Sequence, residues 1–152
     1  MSKVARMPLP DPSGDIVNRV MNFYASFSRD SIPLIDELYT QDVEFIDPIH
    51  RLEGSLALKA YFRNLASNMQ DYEMHYLDKL QAGDSACLSW EMRFTHPQLN
   101  RGKQVRVKGL SLLKFTTRVY YHEDAYDLGA LIYEQVPVLG SATRYLKKRL
   151  GN

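Results

Sequence analysis

The chain has 152 residues, 45% hydrophobic and 24% charged, which suits one ordinary globular domain and leaves no room for a second full core. A formal net charge of +1 carries no electrostatic footprint for nucleic acid. The single cysteine, Cys87, rules out an intramolecular disulfide and agrees with a reducing cytoplasm, and no apolar run approaches the roughly 20 residues of a membrane-crossing helix.

Residues 1–14 hold Pro8, Pro10 and Pro12 and no apolar core, so they read as a flexible leader and not as a signal peptide. Residues 15–152 are expected to form one domain. A first helix opens after Ser13 or Asp15, either of which suits a cap. Ile16, Val17, Val20, Met21, Tyr24 and Phe27 recur at helical spacing, and the helix is expected to stop near Arg29 and Asp30. A short second helix follows, with Pro33 in its first turn and Leu34, Ile35, Leu38 and Tyr39 inward. Val43 to Asp47 reads as a strand ended by Pro48. Its alternation puts Val43, Phe45 and Asp47 on one face. Gly54 and Ser55 open a third helix, with Leu58, Tyr61, Phe62, Leu65 and Met69 at i, i+3, i+4, i+7 spacing.

From Asp71 the period changes to two. Tyr72, Met74 and Tyr76 alternate with Glu73, His75 and Leu77, up to a turn at Gly83 and Asp84. Leu88, Trp90, Met92 and Phe94 mark the next strand. After a loop through Pro97, Asn100 and Gly102, Val105, Val107, Gly109, Ser111 and Leu113 mark another, and Arg118 to Asp127 the last. Strands at such short spacing pair antiparallel. The opposite sheet face carries Glu91, Arg93, Arg106 and Lys108 among Leu110 and Leu112, a mixture that suits a homodimer interface as well as a solvated face. Three helices, an early strand and a meander give the α+β class. In the tail, Ser141 to Leu150, cations surround Tyr145, Leu146 and Leu150. A helix whose cations complement its own dipole is the favoured reading over membrane contact.

Several polar residues fall where chemistry is done. Asp47 shares an apolar strand face, and a carboxylate in a low-dielectric hollow becomes a proton shuttle; it also stands before Pro48, where aspartate commonly caps a turn. His122, Asp124 and Tyr126 lie at i, i+2, i+4 and share a face. They suit a pocket wall, a satisfied ladder or a solvated face alike. Asp127 would end that strand and cap a helix at Leu128. His50 reads as a loop residue at a cavity rim, and Trp90 as core or as a stacking surface for a flat ligand. Four histidines and one cysteine, none at metal-ligand spacing, give no metal signal, and no nucleotide or nucleophile-elbow motif is present, so no metal and no cofactor is expected.

The run Leu38-Tyr39-Thr40-Gln41-Asp42-Val43-Glu44-Phe45-Ile46-Asp47-Pro48, then Gly54 and Ala60-Tyr61-Phe62-Arg63, resembles the ketosteroid isomerases of the nuclear transport factor 2 superfamily. Residues His122 to Gly129 look like the SnoaL-like branch, which includes polyketide cyclases. The resemblance implies a cone-shaped α+β barrel: three N-terminal helices packed on a curved, mostly antiparallel sheet around an internal pocket, with a short C-terminal helix. It puts Asp47 on the isomerases' general base. Their oxyanion-hole tyrosine falls on Phe23 or Tyr24, and their protonated aspartate is replaced by Ser111. Asp47, His122 and Asp124 are then the expected catalytic cluster, with Asp124 favoured over Asp127 by strand parity. Tyr24, Phe45, Tyr61, Trp90, Ser111 and Tyr126 are expected to line the pocket. The implied activity is cofactor-free proton transfer, of isomerase or cyclase type, on a small, mostly apolar carbonyl compound. His122, Ser111 or Tyr24 would donate to the developing enolate oxygen. The competing expectations are a non-catalytic small-molecule or lipid-binding module and a protein-interaction adaptor whose pocket Trp90, Tyr72 and Tyr76 would fill.

Overall fold

A computed structural model describes residues 15–127, 129 and 137–151 of the chain. The leader and Leu128 lie outside the described residues. Helix α1, Ile16–Ala25, buries Ile16, Val17, Val20, Phe23 and Tyr24 along one face. Asp15 precedes it without a side-chain cap; its carbonyl accepts the Arg19 N–H at 3.0 Å. The helix ends four residues earlier than its apolar spacing predicts. Ser26 folds back, with both its hydroxyl (2.7 Å) and its N–H (3.1 Å) on the Asn22 carbonyl. Residues Arg29–Leu34 form a 3₁₀ turn that contains Pro33, so the proline precedes α2, Ile35–Leu38, instead of opening it. Tyr39 leaves the helical region at φ −116°, ψ 148° and starts a strand.

The six strands are β1 (Tyr39–Ile46), β2 (Arg51–Glu53), β3 (Gln70–Ala82), β4 (Ser85–Thr95), β5 (Val105–Phe115) and β6 (Val119–Tyr126). Their order in the sheet is β2-β1-β6-β5-β4-β3. Neighbours run antiparallel except β1 and β6, which pair in parallel with Phe45 opposite His122 and Ile46 opposite Glu123. The sheet is therefore mixed and open, with β2 and β3 at its edges. Short β2 had no periodicity to announce it. Register shifts on β3 between Gln70 and Glu73 and between Tyr76 and Asp78 are of the kind that bend a strand and curve a sheet.

Helix α3, Ser55–Asn68, starts at Gly54, whose φ of 91° suits a residue without Cβ. The Gly54 N–H reaches the Val43 carbonyl at 2.8 Å and holds the helix start against β1. α3 and α1 pack Leu58, Phe62, Val17, Val20 and Phe23 onto Val43, Phe45, Leu88 and Leu113 of the sheet. Burying a Leu or Phe side chain of this kind contributes about 1.5–3 kcal/mol. A second cluster, Trp90, Phe94, Val105 and Val107, extends the core along β4 and β5. On the outer face Glu91 lies beneath Arg106 and Arg93, at 2.6 Å and 2.8 Å, while Leu110 and Leu112 stay exposed. Helix α4, Pro137–Leu150, begins ahead of the expected Ser141, and Lys147 meets Asp127 at 2.5 Å. No helix among the described residues is long and apolar enough to cross a membrane.

Candidate active site

The helices and the concave sheet face enclose a hollow of about 290 Å³. That is near the lower end of ligand cavities, roughly 300–1,000 Å³. Asp47, His122, Asp124, Tyr24, Phe45, Tyr61, Trp90, Ser111 and Tyr126 all line it. The parity argument on β6 thus resolves inward: His122, Asp124 and Tyr126 share the concave face. Asp127 stands outside, where it accepts the Gly129 N–H at 2.8 Å and meets Lys147.

His122 is the centre of a buried hydrogen-bond chain. Its Nε2 lies 2.7 Å from Asp124 Oδ1, and its Nδ1 lies 2.8 Å from the Tyr39 hydroxyl. Tyr39 in turn meets the Tyr24 hydroxyl at 2.6 Å. Asp124 Oδ1 also accepts the Ser111 hydroxyl at 2.5 Å, and Ser111 Oγ accepts the Trp90 indole N–H at 2.8 Å. In a neutral imidazole, Nε2–H donates to the carboxylate, so Nδ1 accepts from Tyr39, which accepts from Tyr24. The chain runs from helix α1 through β1, β6 and β5 to β4, and it fixes one Asp124 oxygen from two sides.

Asp47 performs two tasks with its two oxygens. Oδ1 accepts the backbone N–H groups of Ile49 (2.8 Å) and His50 (2.7 Å), which closes the turn after β1; the His50 ring Nδ1 stands 3.3 Å away. Oδ2 accepts the Tyr61 hydroxyl at 2.8 Å. The turn cap and the inward-facing carboxylate were alternatives on sequence, and both occur. The expected Asp47–His122–Asp124 cluster separates into two centres: Asp47 with Tyr61 and His50, and Asp124 with His122 and Ser111. They share the hollow without sharing a hydrogen bond among the described residues.

The expected enolate donors are corrected too. Ser111 gives its proton to Asp124, both His122 nitrogens are engaged, and the Tyr24 hydroxyl is engaged with Tyr39. Tyr24, not Phe23, faces the hollow, and Phe23 is core. On the part of the wall around His122, Asp124 Oδ2 and the hydroxyls of Tyr76 and Tyr126 have no hydrogen-bond partner among the described residues. None of the three is a fully buried atom without a partner, and all three residues line the hollow. Burial first, and then the charges of Asp47 and Asp124, push the Tyr126 phenol well above its ordinary value. Burial first, then Tyr72, Tyr39 and Asp124, does the same to Tyr76. Both therefore stay protonated and can donate. Tyr61 is raised by burial and by the Asp47 carboxylate it touches.

Sequence reasoning missed Tyr39 and Tyr76 as site residues. Tyr39 stands four residues after Ile35, which suggested a helix face, yet it also shares odd parity with Val43 and Phe45. That parity was the available signal. Tyr76 is expected only as a ring that would fill the pocket of an adaptor, not as a donor on its wall. Among the described residues no three His, Cys, Asp or Glu side chains are grouped to hold a metal ion.

The SnoaL-like domain family matches residues 20–118, a stretch that carries Asp47, Trp90 and Ser111 and stops before β6. No curated protein matches the sequence. Among solved structures, a nuclear transport factor 2-like protein of unknown function from Burkholderia pseudomallei is 17% identical, with a TM-score of 0.68 over 78% of this chain and 95% of that one. A Catenulispora acidiphila protein with a ketosteroid isomerase-like fold, in complex with trimethylamine, is 14% identical, with a TM-score of 0.67 over 80% and 91%. A Shewanella putrefaciens protein named as a candidate SnoaL-like polyketide cyclase is 16% identical, with a TM-score of 0.65 over 78% and 93%. At these identities the likeness is one of fold.

Proposed function

Because the chain belongs to the SnoaL-like domain family, we propose that it is a proton-transfer enzyme of isomerase or cyclase type, acting on a small, mostly apolar carbonyl compound held in the cone. One observation carries the reading. Asp124 has one oxygen fixed by His122 and Ser111 and the other open to a largely apolar hollow, beside two phenols with uncommitted O–H groups. A fixed carboxylate with a free oxygen is a general base, and free donors in a dry site stabilise a developing oxyanion.

In this scheme Asp124 Oδ2 removes a proton alpha to the substrate carbonyl. The C–H electron pair becomes the enolate, whose oxygen accepts hydrogen bonds from Tyr126 and Tyr76. An isomerase returns the proton from Asp124 to another carbon. A cyclase lets the enolate carbon attack a second carbonyl of the same molecule, and Asp124 protonates the new alkoxide. His122 and Ser111 orient the base. Asp47 positions Tyr61 and the β1 turn. No cofactor enters the scheme. The adaptor alternative called for a hollow filled by Trp90, Tyr72 and Tyr76; these rings line it and leave about 290 Å³ open.

The test is hydrogen–deuterium exchange of phenylacetone and 2-indanone in D₂O, followed by proton NMR. Asp124→Asn should lower enzyme-dependent exchange by about 10²–10⁴-fold, the usual worth of a general base. Tyr126→Phe should lower it by about 10²-fold, as for a lost oxyanion donor. Exchange that survives Asp124→Asn but vanishes in Asp47→Asn would move the base to Asp47. Exchange no faster than buffer for either ketone would refute the enzyme reading in favour of a binding module.

We further infer a homodimer through the outer sheet face. Leu80, Cys87 and Leu112 align in one row across β3, β4 and β5, and Leu80, Leu110 and Leu112 are 68%, 50% and 37% exposed. A contiguous apolar patch ringed by charge is the usual mark of such an interface. A lone cysteine fits a cytoplasmic location.

A further inference from the structure

Among the described residues, the wall of the hollow carries two carboxylates, Asp47 and Asp124, and no lysine or arginine. The groups among the described lining residues able to take a positive charge are two imidazoles. His122 is tied by both nitrogens to Tyr39 and Asp124, and His96 stands apart on the segment after β4. A third imidazole, His50, touches Asp47 from the half-exposed turn and does not line the hollow. The rest of the wall is largely aromatic, including Phe45, Tyr61, Tyr72, Trp90, Phe94 and Tyr126.

Such an enclosure disfavours anionic ligands. In a low-dielectric space an added negative charge is repelled by both carboxylates with little screening. Proton abstraction does not relieve this, because the charge lost by Asp124 reappears on the enolate oxygen a few ångströms away. Tyr126 and Tyr76 are neutral donors and cannot cancel it. What would cancel it is a positive charge on the ligand. Aromatic faces attract such a cation as well, since their quadrupoles are negative at the ring face. The acidity of the alpha carbon gains too, because a nearby cation stabilises the enolate.

We propose that the cone is built for a carbonyl compound that also bears a positively charged nitrogen, an ammonium or iminium group, which lies against the aromatic rings of the wall within the field of the Asp124 and Asp47 carboxylates, leaving Asp124 Oδ2 to the alpha proton. This rests on reading the cavity as a substrate site, but its test needs no turnover.

The probes are benzyltrimethylammonium and neopentylbenzene, which have the same shape and differ by a charged nitrogen in place of a carbon. Trp90 is the only tryptophan and lines the hollow, so its emission reports binding directly. The cation should bind at least about 10-fold more tightly than its neutral twin, and Asp124→Asn should reduce that ratio while leaving neopentylbenzene affinity within about 2-fold. Equal or tighter binding of neopentylbenzene to the wild type would overturn the proposal. So would the lack of a saturable response to the cation up to about 20 mM, weaker than a Kd of about 1 mM by more than tenfold. Ketone exchange without a cation preference would overturn this inference and leave proton transfer standing; the preference without exchange would do the reverse.

Discussion

Replacing Tyr39 with phenylalanine isolates the worth of the buried chain that holds His122 and Asp124. The substitution keeps the ring and opens no cavity, and Tyr39 is only 1% exposed. It removes one hydroxyl that serves two partners, His122 Nδ1 at 2.8 Å and the Tyr24 hydroxyl at 2.6 Å. Leaving a buried polar group unpaired costs about 1–2 kcal/mol each, so the variant should lose about 2–4 kcal/mol. For a domain with about 5–15 kcal/mol in hand that is a large share. At about 2–4 °C per kcal/mol the midpoint should fall by roughly 4–16 °C. Urea unfolding followed by Trp90 emission, with a thermal scan by circular dichroism, measures both. Tyr24→Phe together with Tyr39→Phe leaves only the imidazole nitrogen unpaired. The double variant should therefore lose about 1 kcal/mol less than the sum of the singles. A Tyr39→Phe loss below about 0.5 kcal/mol, or strict additivity, would refute the chain as a cooperative unit.

Three further outcomes are expected. A Cβ at Gly109 would sit 2.3 Å from Trp90 Cη2, so Gly109→Ala should push the indole off its site, shift its emission and cost about 1–3 kcal/mol in urea; an unchanged spectrum and midpoint would contradict the packing. The guanidinium of Arg106 first, and then that of Arg93, holds the Glu91 carboxyl down at about 2 from an ordinary 4.5. Since the folded value is the lower one, the stability from Glu91 is complete above about pH 4.5 and lost as pH falls toward 2. Urea midpoints over that window should therefore fall less steeply in Glu91→Gln than in the wild type. Leu110→Asp should turn the proposed dimer into monomers in sedimentation velocity, and a wild type that sediments as a monomer at about 100 μM would exclude the interface, given the micromolar or tighter affinities of stable contacts.

Much of the molecule was readable from its residues. The helical spacing of Ile16 to Tyr24 and of Leu58 to Leu65 and the alternation through β3, β4 and β5 follow from simple burial. Parity on β6 was enough to prefer Asp124 over Asp127. Where reading failed, the cause was local competition. Tyr39 fits both a helix face and a strand face, and only the packing against His122 decides. Strand β2 has three residues and little burial, so it carries no pattern. Asp47 was posed as either a turn cap or a pocket carboxylate because one side chain was given one job; its two oxygens separate the tasks. The engagement of Ser111, His122 and Tyr24 has no sequence signal, because their hydrogen-bond partners include residues distant in the chain. Tyr39 and His122 are 83 residues apart.

The parallel pairing of β1 with β6 has a consequence for biogenesis. The strand bearing His122 and Asp124 is the last of the sheet, and it docks between β5 and β1. Closing that contact joins segments some 80 residues apart, a slow, entropically demanding event compared with the hairpins that precede it. A nascent polypeptide that has emerged only as far as β5 can form the meander but lacks both His122 and Asp124. The buried His122–Asp124 pair is thereby absent from truncated or half-made copies and is assembled only when the ribosome has finished the sheet.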